Sequence, residues 1–171
     1  MIEAKTSSTG ERPTSRSRFS DYLDAHSLPV ATAAVRSCSN GSLMALVEHA
    51  PAEGLMFEPI DDLVISIVMR SVQTKVIRDI GWGRQEFTEA PGCILVTPPN
   101  CRSYWHFEGA PMVLHVSAPS ASIPHWLGID GSQLAQFPKG PIYDQLVSQL
   151  VGRMWNANAA APGSGAFLDH A

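Results

Sequence analysis

The stretch Pro91–Pro119, PGCILVTPPNCRSYWHFEGAPMVLHVSAP, constrains the fold more than any other part of the chain. Pro-Gly opens it as a turn pair. Cys93 to Thr97 is a short apolar run of strand length, rich in β-branched residues. Pro98, Pro99 and Asn100 break that run. Ser103 to Phe107 reads as a second strand, Glu108 to Pro111 as a turn, and Met112 to Ala118 as a third strand.

The last two runs predict a hairpin with Phe107 opposite Met112, Trp105 opposite Leu114 and Ser103 opposite Val116. Side chains alternate across a sheet, and directly opposed residues share a face. One face then carries Ser103, Trp105, Phe107, Met112, Leu114 and Val116, and the other Tyr104, His106, Val113 and His115. The first set is almost wholly apolar and is expected to point inward. A slip of one residue would mix the two sets, so the pattern itself selects this pairing.

Pro-Gly, an apolar strand, a Pro-Pro-Asn turn, a strand and a returning strand resemble the second half of a cupin barrel. In metal cupins a histidine ligand follows that turn; the matching position here is Ser103. The Trp-containing strand after the turn and the closing Val-Leu-His strand are similar, more specifically, to the sensor domain of AraC-type transcriptional regulators. The resemblance spans roughly residues 19 to 156. It implies a mainly β, cupin-like (double-stranded β-helix) barrel followed by C-terminal α-helices. It also implies a small-molecule effector, a homodimer, and DNA contact only through a C-terminal helix-turn-helix part that these residues do not contain. No catalytic role and no cofactor are expected on this reading.

The 171 residues suggest one domain. We divide them into a flexible arm over 1–18, a barrel over 19–119 and a helical dimerisation segment over 120–171. The net charge of −4 removes any overall basic field for nucleic acid, and the 12 basic residues are scattered apart from Arg12, Arg16 and Arg18. An arm of this kind can fold over the ligand pocket in AraC-type sensors. Three cysteines, Cys38, Cys93 and Cys101, form no Cys-x-x-Cys pair; reduced thiols and a cytoplasmic setting are expected. No apolar run has the length of a membrane span.

Along the chain, Ser20 is a candidate cap for a short helix reaching His26, with Phe19, Tyr22 and Leu23 on its buried side. Val30 to Val35 and Ser42 to His49 form a hairpin around Asn40-Gly41. Pro51 to Pro59 reads as a loop. Leu63 to Arg70 is a strand apolar on both faces, hence covered on both sides. Gln73 to Asp79 and Arg84 to Glu89 flank Gly81-Trp82-Gly83. About eight short strands with closely spaced turns argue for a barrel or sandwich. Ile123 to Leu127 is a single helical turn, and Ile142 to Trp155 is a helix opened by Pro141, its apolar residues recurring at helical spacing.

A cupin metal site needs a His-x-His pair and a carboxylate from an earlier strand. Glu58, Asp61 and Asp62 lie there, but no histidine falls between His49 and His106, so no metal site is expected and the three acids read as solvated loop residues. His106 and His115 are expected on the outer face, and His125 as a packed polar side chain. Ser103 lacks the surroundings of a nucleophile. Trp105, Phe107, Met112 and Leu114 line a ligand cavity or fill a solid core, and the sequence leaves both open. If the barrel is hollow, Ser103 and Arg84 are the expected polar ligand contacts and Trp82 a cover for one end. Ile142, Leu146, Val147, Leu150 and Met154 are the expected dimer contacts. A stand-alone cupin-like enzyme, an isomerase or dioxygenase relative, is the alternative.

Overall fold

The computed structural model describes residues 17–24, 30–128, 133 and 137–159. The readings made for residues 1–16, for His26 and for residues 160–171 lie outside this set. Helix α1 (Phe19–Asp24) precedes nine strands: β1 (Val30–Ser37), β2 (Leu43–His49), β3 (Ala52–Phe57), β4 (Asp62–Arg70), β5 (Lys75–Asp79), β6 (Gln85–Thr88), β7 (Cys93–Thr97), β8 (Ser103–Phe107) and β9 (Met112–Pro119). Helix α2 (Ile123–Leu127), the two-residue strand β10 (Ile142–Tyr143) and helix α3 (Gln145–Ala159) follow.

Two antiparallel sheets face each other. Their strand orders are β1-β2-β9-β4-β7-β10 and β3-β8-β5-β6. Strand β2 pairs with β9, β3 with β8, β4 with β7, and β5 with β6. The chain is thus one long hairpin, doubled back between β5 and β6 and wound so that successive rungs fall in alternate sheets. That is the jelly-roll order, a cupin-like double-stranded β-helix, and it is followed by helices as the sequence predicted.

The predicted β8–β9 hairpin does not form. Strand β8 has its two ladder edges occupied by β3 and β5, and β9 has its edges occupied by β2 and β4. The turn after Phe107 carries the chain across the barrel to the other sheet. The hairpin around Asn40-Gly41 does form: Gly41 has φ of +81° and its N–H donates to the Cys38 carbonyl. The stretch read as a loop before Pro59 is instead strand β3, bulged at Gly54.

Helix α3 starts at Gln145, not at Ile142. Ile142 and Tyr143 extend the large sheet beside Ile94 and Cys93. The start signal is Asp144, whose carboxylate accepts the Val147 N–H at 3.0 Å, the usual side-chain cap of a helix N-terminus. Likewise Ser20 lies within α1 and caps nothing; Asp21 reaches back to the Arg18 N–H at 2.7 Å.

The centre of the large sheet is buried on both faces. Outside, Met44 and Leu114 pack with Trp155 and Val151 of α3. Leu63, Val96 and Ala118 pack with Ile123, Phe137 and Ile142. Arg36 of β1 stacks on the Trp155 ring at 3.6 Å and donates to its carbonyl, holding the end of the helix to the sheet. The small sheet turns one face outward, where Lys75 and Glu86 form an exposed ion pair at 2.7 Å.

Candidate functional site

The barrel is hollow. Between the sheets lies a cavity of about 110 Å³. That is room for several waters or a small organic molecule. The large sheet supplies Val64, Ser66 and Val68 from β4, Val113 and His115 from β9, and His49 from the end of β2. The small sheet supplies Leu55 and Phe57 from β3 and Ser103, Trp105 and Phe107 from β8. Glu58 is exposed on the rim, with Tyr22 and Phe57 half-buried beside it.

Ser103, Trp105 and Phe107 therefore face the cavity, as the alternation in β8 requires, and the Trp105 indole N–H donates to Ser103 Oγ at 3.1 Å. Met112 and Leu114 do not face it. Register places Val113 opposite Val68 and His115 opposite Ser66, both cavity residues, so the inward face of β9 is the one holding the histidine. Leu114 lies on the other face, under α3. Trp82 and Arg84 are also away from the lining; the Trp82 ring sits 5.2 Å from Lys139 Nζ, and Arg84 is exposed. His106 lies on the outer face of β8, 3.8 Å from Glu108.

The expectation for His115 is thus overturned: it is buried inside the barrel. Its Nε2 lies 3.1 Å from His49 Nε2, and its Nδ1 lies 2.9 Å from Ser66 Oγ. Burial holds both imidazoles in the neutral form, His49 down to about 4 and His115 well below the ordinary histidine value, with His49 adding to the latter. In a neutral pair one ring donates and the other accepts. The relay Ser66–His115–His49 then ends at His49 Nδ1, which is buried without a partner among the described residues. No group of three or more His, Cys, Asp or Glu is placed to hold a metal ion among the described residues.

Two further buried polar groups escaped the sequence reading. Glu89 lines the cavity at 5% exposure, and its Oε2 has no partner among the described residues. Burial pushes its carboxyl up to about 7. Arg78 is fully buried on the inward face of β5, opposite Trp105 and 5.0 Å from its ring. It donates to the Val96 carbonyl and to Thr97 Oγ1, which ties the small sheet to the large one, while Nε and Nη1 have no partner among the described residues. Desolvation lowers its guanidinium to about 10, still a cation at neutral pH.

The acids before β4 are not all solvated. Asp62 is fully buried and accepts both Arg18 Nε at 2.6 Å and the Phe19 N–H at 2.7 Å. It pins α1 against the barrel, so that Phe19 and Tyr22 join the cavity wall. Tyr22 closes the contact by donating to the Glu58 carbonyl at 2.9 Å. Glu58 itself is exposed and paired with Arg102, and Asp61 accepts the Ser120 hydroxyl at 2.8 Å.

Alternation alone could have placed His49. Strand β2 reads Leu43, Ala45, Val47, His49 on one buried face and Met44, Leu46, Glu48 on the other. Glu89 lies one residue beyond β6, its N–H still bound to the Thr74 carbonyl at 2.8 Å, and alternation places it on the inward face with Phe87; its charge argued against that place.

The sequence matches no family model and no curated protein. Among solved structures, the chain is similar to vicilin from Corylus avellana (hazelnut), with TM-score 0.41 and 13% identity over 56% of this chain and 30% of that one. It is also similar to the 7S globulin of Momordica charantia, with TM-score 0.39 and 13% identity over 69% of this chain and 47% of that one. The chain thus spans less than half the length of either. The cupin-like assignment rests on strand order and register.

Proposed function

We propose that this chain is the effector-binding and dimerisation domain of an AraC-type transcriptional regulator, holding a small molecule in a metal-free barrel. The observation that carries the reading is the hollow interior: a mostly apolar wall with a few buried polar groups, the usual make-up of a small-molecule site. Trp105, Phe107 and Ser103 are the proposed contacts on the small sheet. DNA contact would belong to a helix-turn-helix part outside these residues, and the regulator would act in the cytoplasm.

The dimer reading draws on α3. Leu146, Val147 and Leu150 are exposed along it, and Tyr143 is exposed just before it, whereas Val151 and Trp155 pack inward. Ile142 and Met154 are half-buried in the chain's own packing, so the proposed contact centres on the first three. Leu150→Asp should halve the mass seen by light scattering; an unchanged mass removes this face from the dimer.

A thermal-shift screen with sugars, aromatic acids, fatty acids and amines tests the sensor reading. A ligand bound only by the folded state must raise Tm, and Trp105→Ala should abolish the rise. No rise with any class would leave a pure dimerisation module. The second reading is a cupin-like enzyme with a non-standard site. It draws support from the imidazole pair and the Glu89 carboxyl inside the cavity, groups suited to proton transfer. Stoichiometric metal in protein purified without chelator would favour it.

A further inference from the structure

We propose that the cavity takes an organic cation, an amine on an apolar or aromatic body, with Glu89 receiving the charged nitrogen. The inference rests on the ligand-binding reading above and names the ligand's class.

Three observations converge. First, the charged side chains on the described wall are both acids, Glu58 at the rim and Glu89 inside; no Lys or Arg lines it. Second, Glu89 Oε2 is buried without a partner among the described residues, and a carboxylate oxygen left unpaired away from water is costly. A ligand N–H supplies the missing donor, and a positive charge compensates the carboxylate. Third, the rings of Phe19, Tyr22, Phe57 and Phe107 face the same space, while the Trp105 ring already carries Arg78. Aromatic faces attract cations through their quadrupole, and aromatic walls are the common means of holding a substituted ammonium.

The two cavity histidines do not compete with a cation, since both are held neutral by burial. Arg78 is the fully buried cation among the described residues, and it stands at the opposite end. The Glu89 N–H is bound by the Thr74 carbonyl, four positions before Arg78 on the same chain. Extended backbone spans about 13 Å over that interval. The ligand's nitrogen then sits at the Glu89 end and its apolar body runs toward Trp105.

Binding is coupled to the protonation of Glu89. The titratable groups that interact with it are the Cys93 thiol, pushed up to about 11 by burial and then by Glu89, and the Tyr143 phenol, raised chiefly by burial. Both stay neutral through the range in which Glu89 titrates near 7. A bound cation requires the ionised carboxylate, so binding releases a proton from the fraction still protonated.

The test uses the full chain and four matched probes: benzylamine, benzyl alcohol, benzoate and benzyltrimethylammonium. Calorimetry and thermal shift should show binding of benzylamine, with affinity rising about tenfold from pH 6 to pH 8 as Glu89 ionises. Glu89→Gln, nearly isosteric, should remove at least tenfold of that affinity and flatten its pH dependence. Benzyltrimethylammonium, which has no N–H, should retain part of the affinity if ring faces and charge contribute. Binding of benzyl alcohol or benzoate as tight as benzylamine and unchanged in Glu89→Gln overturns the cation inference and leaves the ligand cavity standing. Absence of binding by every probe, at pH 8 and in both proteins, overturns both.

Discussion

The two sheets bury their residues differently, and the difference explains which parts of the site can be read from sequence. The small sheet turns one face toward solvent, half-exposed at Tyr104 and His106 and more open at Lys75 and Glu86. Along β8 the alternation of Ser103, Trp105 and Phe107 with Tyr104 and His106 separates cavity from exterior without ambiguity. The large sheet has no wet face over its centre. Strand β9 is buried at both parities because α3 covers one side and the cavity occupies the other. There the more apolar set lies beneath the helix, and the set with the histidine looks into the barrel. The rule that the greasier face points into the barrel holds only where the other face meets water.

Truncation should separate the two faces of the large sheet most strongly. Leu114 is fully buried between β9 and α3. Leu114→Ala leaves a sealed void there and should cost about 3–4 kcal/mol in urea unfolding. Val113→Ala enlarges space that is already empty and should cost about 1 kcal/mol. Equal losses would mean that β9 is packed the same way on both sides.

Acid should act on the large sheet's inner face next most strongly. His49 is held at about 4 in the fold against 6.5 ordinarily. Between those values the unfolded chain binds a proton that the folded chain refuses, so stability falls as pH falls through that window. The loss is on the order of 3 kcal/mol for His49, and His115 contributes with the same sign. Glu89 acts oppositely. Its carboxyl is raised from 4.5 to about 7, so the fold is favoured as pH drops through that interval. Glu89→Gln should therefore steepen the loss between pH 6.5 and pH 4.5 in unfolding curves; a slope unchanged or shallower would remove Glu89 from the buried set.

The strap on α1 ranks third. Asp62→Asn keeps the shape and removes the charge that holds Arg18 and the Phe19 N–H. Arg18 is one-third exposed, so screening reduces the effect; a loss of about 2 kcal/mol is expected. The same variant should loosen Phe19 and Tyr22 from the cavity wall, read as faster amide exchange in residues 19–24. Retained protection there would show that Asp62 stabilises the barrel alone.

Most of the barrel was legible in the sequence because turns announce themselves: Asn40-Gly41, Pro91-Gly92 and Pro98-Pro99-Asn100 all end strands where expected, with Gly41, Gly92 and Asn100 at positive φ. Strand β3 was missed because Gly54 and its flanking prolines look like loop, while the bulge uses that glycine's left-handed backbone. The β8–β9 pairing failed for a different reason. Adjacent strands joined by a short turn usually pair, as β1–β2 and β5–β6 do, yet the jelly roll sends β8 and β9 to opposite sheets, and local chemistry carries no trace of that choice. Buried charge was the least visible. Nothing around Arg78, Glu89 or Asp62 marks them as interior, since their burial is a consequence of which sheet faces which.

The smallest expected effect gives the sharpest contrast. His106 and His115 are chemically identical and come from consecutive strands on opposite sheets. His106 stands on the outer face of β8, beside an exposed Glu108. Replacing it with Gln should change stability by no more than about 0.5 kcal/mol, as for most outer positions without a committed partner. His115→Gln removes a ring that contacts Ser66, His49 and the Phe19 ring at once. It leaves buried polar atoms without partners, and about 1–3 kcal/mol of stability should be lost. The ratio of the two losses measures how differently the sheets treat one side chain. If His106→Gln is the costlier of the two, the small sheet's outer face is not wet, and the distinction between the sheets fails where it was drawn most simply.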